Sequence, residues 1–251
     1  MSKMTQRSSL YTWLGIFLMS MACSSNQGDL IHVKSNSLTL QLDKKISSFA
    51  VLDQEGNELL PAHKVSGILF SSSGKKSPVS SRVKSYGLNE NEVHGTLINE
   101  FGELADFRMV LEDSQLHVEV WSKENDATLV MEIRTASMSP VYGLGDHGGY
   151  EGKTELFGYR NDHFMNDKTK SHNWNHYRFI STFAIFPSRQ VAQVIFDKGE
   201  KRLAIDAVEN KMGVDSSDRL NAYYFFGEPK RLYQSYNEVR EKEGYPSKKP
   251  K

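Results

Sequence analysis

The segment FRMVLEDSQLHVEVW, residues 107–121, alternates apolar and polar side chains on both sides of a short polar connection. The apolar side chains occupy every second position of its two halves: Phe107, Met109, Leu111, Leu116, Val118 and Val120. A period of two turns one side of a β-strand toward a core and the other toward solvent. The connection Glu112–Gln115 is short enough to join neighbouring antiparallel strands. The segment therefore predicts an antiparallel β-hairpin with one buried face.

The same pattern continues along most of the chain. Further runs with strand character are residues 38–42, 46–52, 58–60, 93–98, 128–133, 178–186 and 191–196. Many short strands joined by turn residues indicate an antiparallel sandwich or barrel rather than a parallel α/β sheet. Residues 71–81 interrupt the rhythm and predict a polar loop.

One stretch near the C-terminus has helical periodicity instead. Pro229 suits a first helical turn, and Gly244 suits the end of the helix. The residues that recur on one helical face are Leu232, Tyr233, Tyr236 and Val239. The predicted fold class is therefore all-β, an antiparallel β-sandwich with a C-terminal helix.

The composition limits the classes of function. With 251 residues, 31 Lys+Arg and 31 Asp+Glu, the chain has a formal net charge of zero. A balanced charge gives no strong field to attract phosphate backbones, so nucleic acid is not an expected partner. The single cysteine excludes an internal disulfide framework and a cysteine-based zinc cluster. The length suffices for one sizeable core, and no cofactor is expected.

The N-terminus has the character of an export signal. Lys3 and Arg7 precede an apolar run over residues 10–21, which is too short to span a bilayer and suits a signal peptide. The run leads to Cys23, and this junction resembles a bacterial lipoprotein signal. The resemblance implies removal of residues 1–22, lipidation of Cys23 and a polar tether over residues 23–29 that anchors the protein to an envelope membrane. The alternative is an ordinary cleaved signal with Cys23 as a bystander thiol.

Residues 142–177 are rich in glycine, tyrosine and histidine and show little alternation. A segment of this length is too long for an ordinary connection and predicts a functional loop. Sugar sites combine aromatic platforms with carboxylates, amides and imidazoles, because sugar rings present apolar C–H faces beside hydroxyls. The groups of these kinds that we single out are Asn161, Asp162, His163, Trp174 and His176. The composition is suggestive of a carbohydrate site without establishing one.

Four motifs follow one another in the C-terminal half: VYGLGD (141–146), RND (160–162), YRFISTF (177–183) and AYYFFGEP (222–229). In order and spacing they resemble glycoside hydrolase family 31, the family of α-glucosidases and α-xylosidases. There the first three belong to an N-terminal β-sandwich, and the fourth leads into a helix before the catalytic barrel. Residues 30–139 agree with the family only as a compatible strand pattern.

This resemblance implies a galactose-mutarotase-like β-supersandwich over residues 30–227, then a helix and linker over residues 228–251. The family's two catalytic aspartates lie in a following (β/α)8 barrel, and this chain stops where that barrel would begin. We therefore expect no catalytic residue in this polypeptide. The expected role is binding of an α-linked oligosaccharide or glycoside during its breakdown, alone or with a barrel on another chain. A truncated, inactive hydrolase remnant is the alternative.

Asp162 is the first residue that we expect to contact a sugar, since the family's asparagine–aspartate loop bonds to substrate hydroxyls. Asn161, His163, Trp174 and His176 are expected to bind beside it. A purely structural role for Asp162, as an Asx-turn residue, is the alternative.

Two other chemistries use the same segment. His172 and His176 have the i, i+4 spacing of zinc-binding helices, but the asparagine-rich sequence between them is a poor helix former, so no metal site is predicted. An aldose-epimerase-like enzyme would need a histidine acid and a carboxylate base, for which His163 or His176 could act with Asp162. No epimerase motif supports that alternative.

Overall fold

The computed structural model describes residues 28–72, 77–123, 126–134, 142–143, 183–196, 200–205 and 209–244. Within these ranges the chain forms sixteen strands and one α-helix: β1 (Leu30–Lys34), β2 (Thr39–Asp43), β3 (Phe49–Leu52), β4 (Glu58–Leu60), β5 (Ile68–Ser71), β6 (Val79–Asn89), β7 (Glu92–Asn99), β8 (Leu104–Glu112), β9 (Gln115–Ser122), β10 (Ala127–Arg134), β11 (Tyr142–Gly143), β12 (Ala184–Phe186), β13 (Val191–Ile195), β14 (Glu200–Ile205), β15 (Glu209–Ser217), β16 (Arg219–Phe226) and α1 (Pro229–Lys242). The predicted fold class is confirmed. No helix in the described ranges is long and apolar enough to cross a membrane.

The described strands form two antiparallel sheets that pack face to face. The small sheet has the order β1-β2-β3-β4, and the large sheet has the order β11-β12-β13-β16-β9-β8-β7-β6-β5-β10-β15-β14. Buried apolar side chains of both sheets form the main core, in which the Phe49 ring of the small sheet lies 5.9 Å from the Tyr224 ring of the large sheet. The architecture is the predicted β-sandwich.

The hairpin expected from residues 107–121 is present as β8 and β9. Glu112 pairs with Gln115, so a two-residue turn joins the strands, and Met109 pairs with Val118. Met109 and Val118 are both fully buried in the main core. The polar residues of β8 and β9 consequently lie on the outer face of the large sheet.

The expected polar loop at residues 71–81 is shorter than predicted, because β5 includes Ser71 and β6 already begins at Val79. Hydrogen bonds between the loop before β3 and strands β5 and β6 offset the desolvation of buried serine hydroxyls. The Ser81 hydroxyl donates to the carbonyl oxygen of Ile68 at 2.6 Å and lies 2.9 Å from the Ser47 hydroxyl. Ser47 itself has a φ of 48°, which explains why β3 begins at Phe49 rather than at residue 46.

Helix α1 packs on the outer face of the large sheet. Its buried residues Leu232, Tyr236 and Val239 form a second core with side chains of β13 and β16. Tyr233 was expected on the same face but is 55% exposed, because it lies at the border of that face, where its ring is 6.2 Å from the Phe183 and Tyr236 rings. The sheet is thus covered on one face by the small sheet and on part of the other by α1.

Candidate functional site

The sequence-predicted sugar contacts Asn161, Asp162, His163, Trp174 and His176 lie outside the described residues, as does Cys23. The described chain does include both ends of the segment that carries the sugar contacts. Tyr142 pairs with Ile185, and Gly143 with Ala184. The described residues that flank positions 144–182 are therefore paired with each other in the large sheet.

Helix α1 fixes the end at which this segment returns to the sheet. The ring of Phe183 stacks on Tyr236 of α1, with ring centres 3.9 Å apart and planes inclined by 16°. Phe183 is only 7% exposed. The position of the return strand is thus tied to the position of α1.

A hydrogen-bonded cluster lies where α1 ends over the sheet. One carboxylate oxygen of Glu243 accepts a bond from the Asn221 side-chain amide at 2.9 Å, and the other accepts from the Tyr223 hydroxyl at 2.7 Å. The oxygen of Asn221 then lies 2.7 Å from Nε2 of His117, where it can accept a hydrogen bond. The imidazole of His117 stacks on the Tyr223 ring at 4.0 Å. Four side chains from β9, β16 and the end of α1 therefore hold one another in place.

Burial sets the protonation of this cluster. It lowers the pKa of the His117 imidazole, and the hydrogen bond with Asn221 only partly opposes this effect. Burial, followed by the hydrogen bond to Glu243, raises the pKa of the Tyr223 hydroxyl. We infer that the imidazole is neutral and the phenol protonated at neutral pH.

Charged side chains continue from this cluster across the outer face. Glu119 is 6% exposed and accepts a hydrogen bond from Arg219, and Arg108 lies 3.5 Å from its other oxygen. Arg108 also donates to one Glu92 oxygen at 2.7 and 2.9 Å, which lowers the pKa of that carboxyl. His94 lies 3.2 Å from the second Glu92 oxygen. The acids and bases therefore alternate in one connected network.

We call this surface the polar strip and define it by its members: Glu92, His94, Arg108, His117, Glu119, Trp121, Arg219, Asn221 and Glu243. Trp121 belongs to it because it pairs with Arg219 and has the same strand parity as Glu119. The Arg108, His94 and Arg219 side chains are 42%, 46% and 40% exposed. Donors, acceptors and an indole are thus presented to solvent from a rigid sheet, an arrangement suited to a polyhydroxyl ligand.

The acids and bases of the polar strip face one another rather than an open gap. Nε2 of His117 is 3.9 Å from Glu119, and Glu119 is held by Arg219. An epimerase needs its acid and base on either side of a sugar ring. The geometry of this pair therefore suits binding better than proton transfer.

A second polar group includes serine, histidine and glutamate, and its His63 lines a cleft of about 410 Å³ on the small sheet. The Ser66 hydroxyl donates to Glu132, and the Ser66 backbone N–H donates to Nδ1 of His63 at 3.2 Å. Lys211 binds the other Glu132 oxygen at 2.8 Å. The Ser66 hydroxyl oxygen also lies 3.2 Å from Nδ1 of His63, but its proton is directed at the Glu132 carboxylate. This arrangement differs from the serine–histidine relay of a nucleophile and instead joins the loop before β5 to β10. Among the described residues, no three acidic, histidine or cysteine side chains are arranged to hold a metal ion.

The sequence interpretation missed the polar strip. Part of it was visible in the opening hairpin, because a two-residue turn at 113–114 places Arg108 opposite Glu119. The contact between His117 and Asn221 joins residues 104 positions apart, and nothing in the sequence pattern indicates it.

Comparisons with solved structures find several chains that this one resembles. A glycoside hydrolase family 31 sulfoquinovosidase from E. rectale matches 80% of this chain and 34% of its own, with a TM-score of 0.52 and 7% identity. A putative mutarotase from Salmonella typhimurium matches 79% of this chain and 90% of its own, with a TM-score of 0.46 and 10% identity. The YidC insertase matches 86% of this chain and 43% of its own, with a TM-score of 0.42 and 12% identity. No protein-family model and no curated protein matches the sequence.

The chain spans about a third of the length of the sulfoquinovosidase. The predicted resemblance to the N-terminal β-sandwich of family 31 is thereby confirmed as a likeness of fold.

Proposed function

We propose that this protein is a carbohydrate-binding β-sandwich of the kind found at the N-terminus of family 31 glycoside hydrolases. Its ligand is an α-linked oligosaccharide or glycoside, and Asp162, Asn161, His163, Trp174 and His176 supply the contacts from the segment between β11 and β12. A catalytic barrel on another chain is the proposed partner in hydrolysis. Cys23 carries the proposed lipid anchor to the envelope membrane.

The polar strip is the observation that carries this proposal. It presents guanidinium, imidazole, carboxylate and indole groups on the large sheet, which are the groups that hydrogen-bond and stack with sugars. By register, Gly143 and Ala184 lie at the ends of β11 and β12 that are nearer to the end of β16 with Asn221. Three strand spacings, about 14 Å, separate β12 from β9, a distance that a sugar of a few rings can span.

Isothermal titration of the protein with maltose, isomaltose and xylosyl-glucosides tests the proposal. We expect saturable heat with one of these, and at least tenfold weaker binding for Asp162→Asn, because a hydrogen bond to a charged group is lost. Asp218→Asn, on an exposed turn before β16, is the matched control and should bind as the wild type does. Absence of heat with every sugar, from protein that unfolds cooperatively, would reject the binding function.

A further inference from the structure

A groove of about 720 Å³ opens at one edge of the sandwich, between β1 and β6. Leu30, Tyr86 and Leu88 line it and are 42%, 38% and 51% exposed. Single exposed apolar side chains are ordinary, but three that share one groove indicate a contact surface. We call these three residues, with Lys44, the apolar rim.

The rim combines exposed residues of both sheets. Tyr86 and Leu88 pair with Gly95 and Val93 of β7, and Val93 is fully buried in the main core. Tyr86 and Leu88 therefore lie on the core-facing side of the large sheet, yet they are exposed. Leu30 precedes the buried Ile31 and lies on the outer face of β1.

Positive charge accompanies the rim. The Lys44 ammonium lies 6.0 Å from the centre of the Tyr86 ring. Lys45 beside it is paired at 2.7 Å with Asp29, an acid that also lines the groove, so the positive charge that accompanies the rim is that of Lys44. Aliphatic side chains, a tyrosine and a lysine together are found at surfaces that lie in the headgroup region of a bilayer with anionic lipids.

We propose that the apolar rim is a membrane-contact surface that rests on anionic phospholipid. The inference rests on the lipid anchor at Cys23 that belongs to the proposed function. Leu30 is seven residues after Cys23, and an extended chain spans at most about 3.6 Å per residue. A lipid on Cys23 would therefore keep Leu30 within about 25 Å of the bilayer, with the rim at the point where the tether enters the domain.

A single-cysteine fluorophore tests the contact, because Cys23 is the chain's only cysteine and lipidation would consume its thiol. The full chain with Leu88→Cys is produced in a lipoprotein-processing bacterium, labelled and reconstituted in phosphatidylethanolamine–phosphatidylglycerol vesicles that contain a spin-labelled lipid. Phe101→Cys is the matched control: it is 53% exposed and lies in the turn after β7, about 20 Å along the sheet from position 88. We expect several-fold stronger quenching at position 88 than at position 101. Lys44→Glu should weaken the quenching at 88 when phosphatidylglycerol is present.

Separate measurements test the lipid anchor at Cys23 and the membrane contact of the apolar rim. The mass of the N-terminal peptide reports whether Cys23 carries lipid. With lipid present, equal quenching at 88 and 101 overturns the membrane contact and leaves the anchor standing. If Cys23 is unmodified, the proposed anchor is wrong, and the label at position 88 is then measured in a Cys23→Ser chain mixed with the vesicles. Quenching at position 88 in that chain supports the membrane contact of the rim, and the absence of quenching overturns it.

Discussion

Replacing Glu243 with alanine should detach the end of helix α1 from the sheet. Glu243 is the acceptor for the side-chain amide of Asn221 and the hydroxyl of Tyr223, and both of those residues are 1% exposed. Each buried donor left without an acceptor costs about 1–3 kcal/mol. Because Glu243 is itself partly exposed, water can replace part of the lost hydrogen bonding to the two donors. We therefore expect a loss of about 2–3 kcal/mol in the free energy of unfolding.

Urea denaturation followed by circular dichroism measures this loss, and thermal unfolding should show a Tm lower by about 4–12 °C. Glu238→Ala, on the exposed face of the same helix, is the matched control and should change the free energy of unfolding by less than about 0.5 kcal/mol. A double-mutant cycle with Tyr223→Phe should give a coupling of about 1 kcal/mol. If Glu243→Ala were no more destabilising than Glu238→Ala, or the coupling were zero, the bridging role of Glu243 would be wrong.

Three further substitutions test the fold. His117→Gln should reduce the loss of stability on acidification below about pH 6.5. A pKa lowered by folding means that the unfolded chain binds the proton better, so the stability from this group is full above the ordinary pKa of 6.5 and falls below it. Urea denaturation at neutral pH and at about pH 5 would show the difference between the variant and the wild type. Gly95→Ala should destabilise by about 3 kcal/mol or more, because its Cβ would lie 2.0 Å from a backbone oxygen of β6, whereas Gly28→Ala, with open space around it, should be nearly neutral in the same denaturation assay. Leu232→Ala should cost about 2–5 kcal/mol by leaving a cavity under α1, and the exposed Tyr233→Ala should cost less than about 1 kcal/mol in thermal unfolding.

Strands with one buried face were predictable from sequence. Residues 58–60 were predicted and are β4, while residues 93–98 lie within β7, where Val93 and Leu97 point to the core. The 11-residue β6 was not predicted. Its central residues are mostly exposed, and a bulge between Val83 and Ser85 breaks the alternation that would have indicated it.

The candidate site was likewise predictable from sequence only in part. The resemblance predicted contacts in residues 161–176, which stay predictions, and the alternation predicted one buried face for the hairpin that carries Arg108 and Glu119. The closure of the polar strip by Glu243 was not predictable, since it depends on where α1 ends relative to β16. A helix end is placed by tertiary packing, and local sequence does not encode the distance from Glu243 to Asn221.

Tryptophan fluorescence tests the central claim most directly, because the chain has three tryptophans, at positions 13, 121 and 174. With Trp13→Phe to remove the one in the predicted signal segment, Trp121 reports on the polar strip and Trp174 on the predicted sugar contacts. Carbohydrate binding predicts a saturable change of emission with an α-linked oligosaccharide, and Trp174→Phe should abolish most of it while the fold persists. A titration with no saturable change, or one unaffected by both Trp174→Phe and Trp121→Phe, would contradict the claim that this sandwich binds sugar at these surfaces.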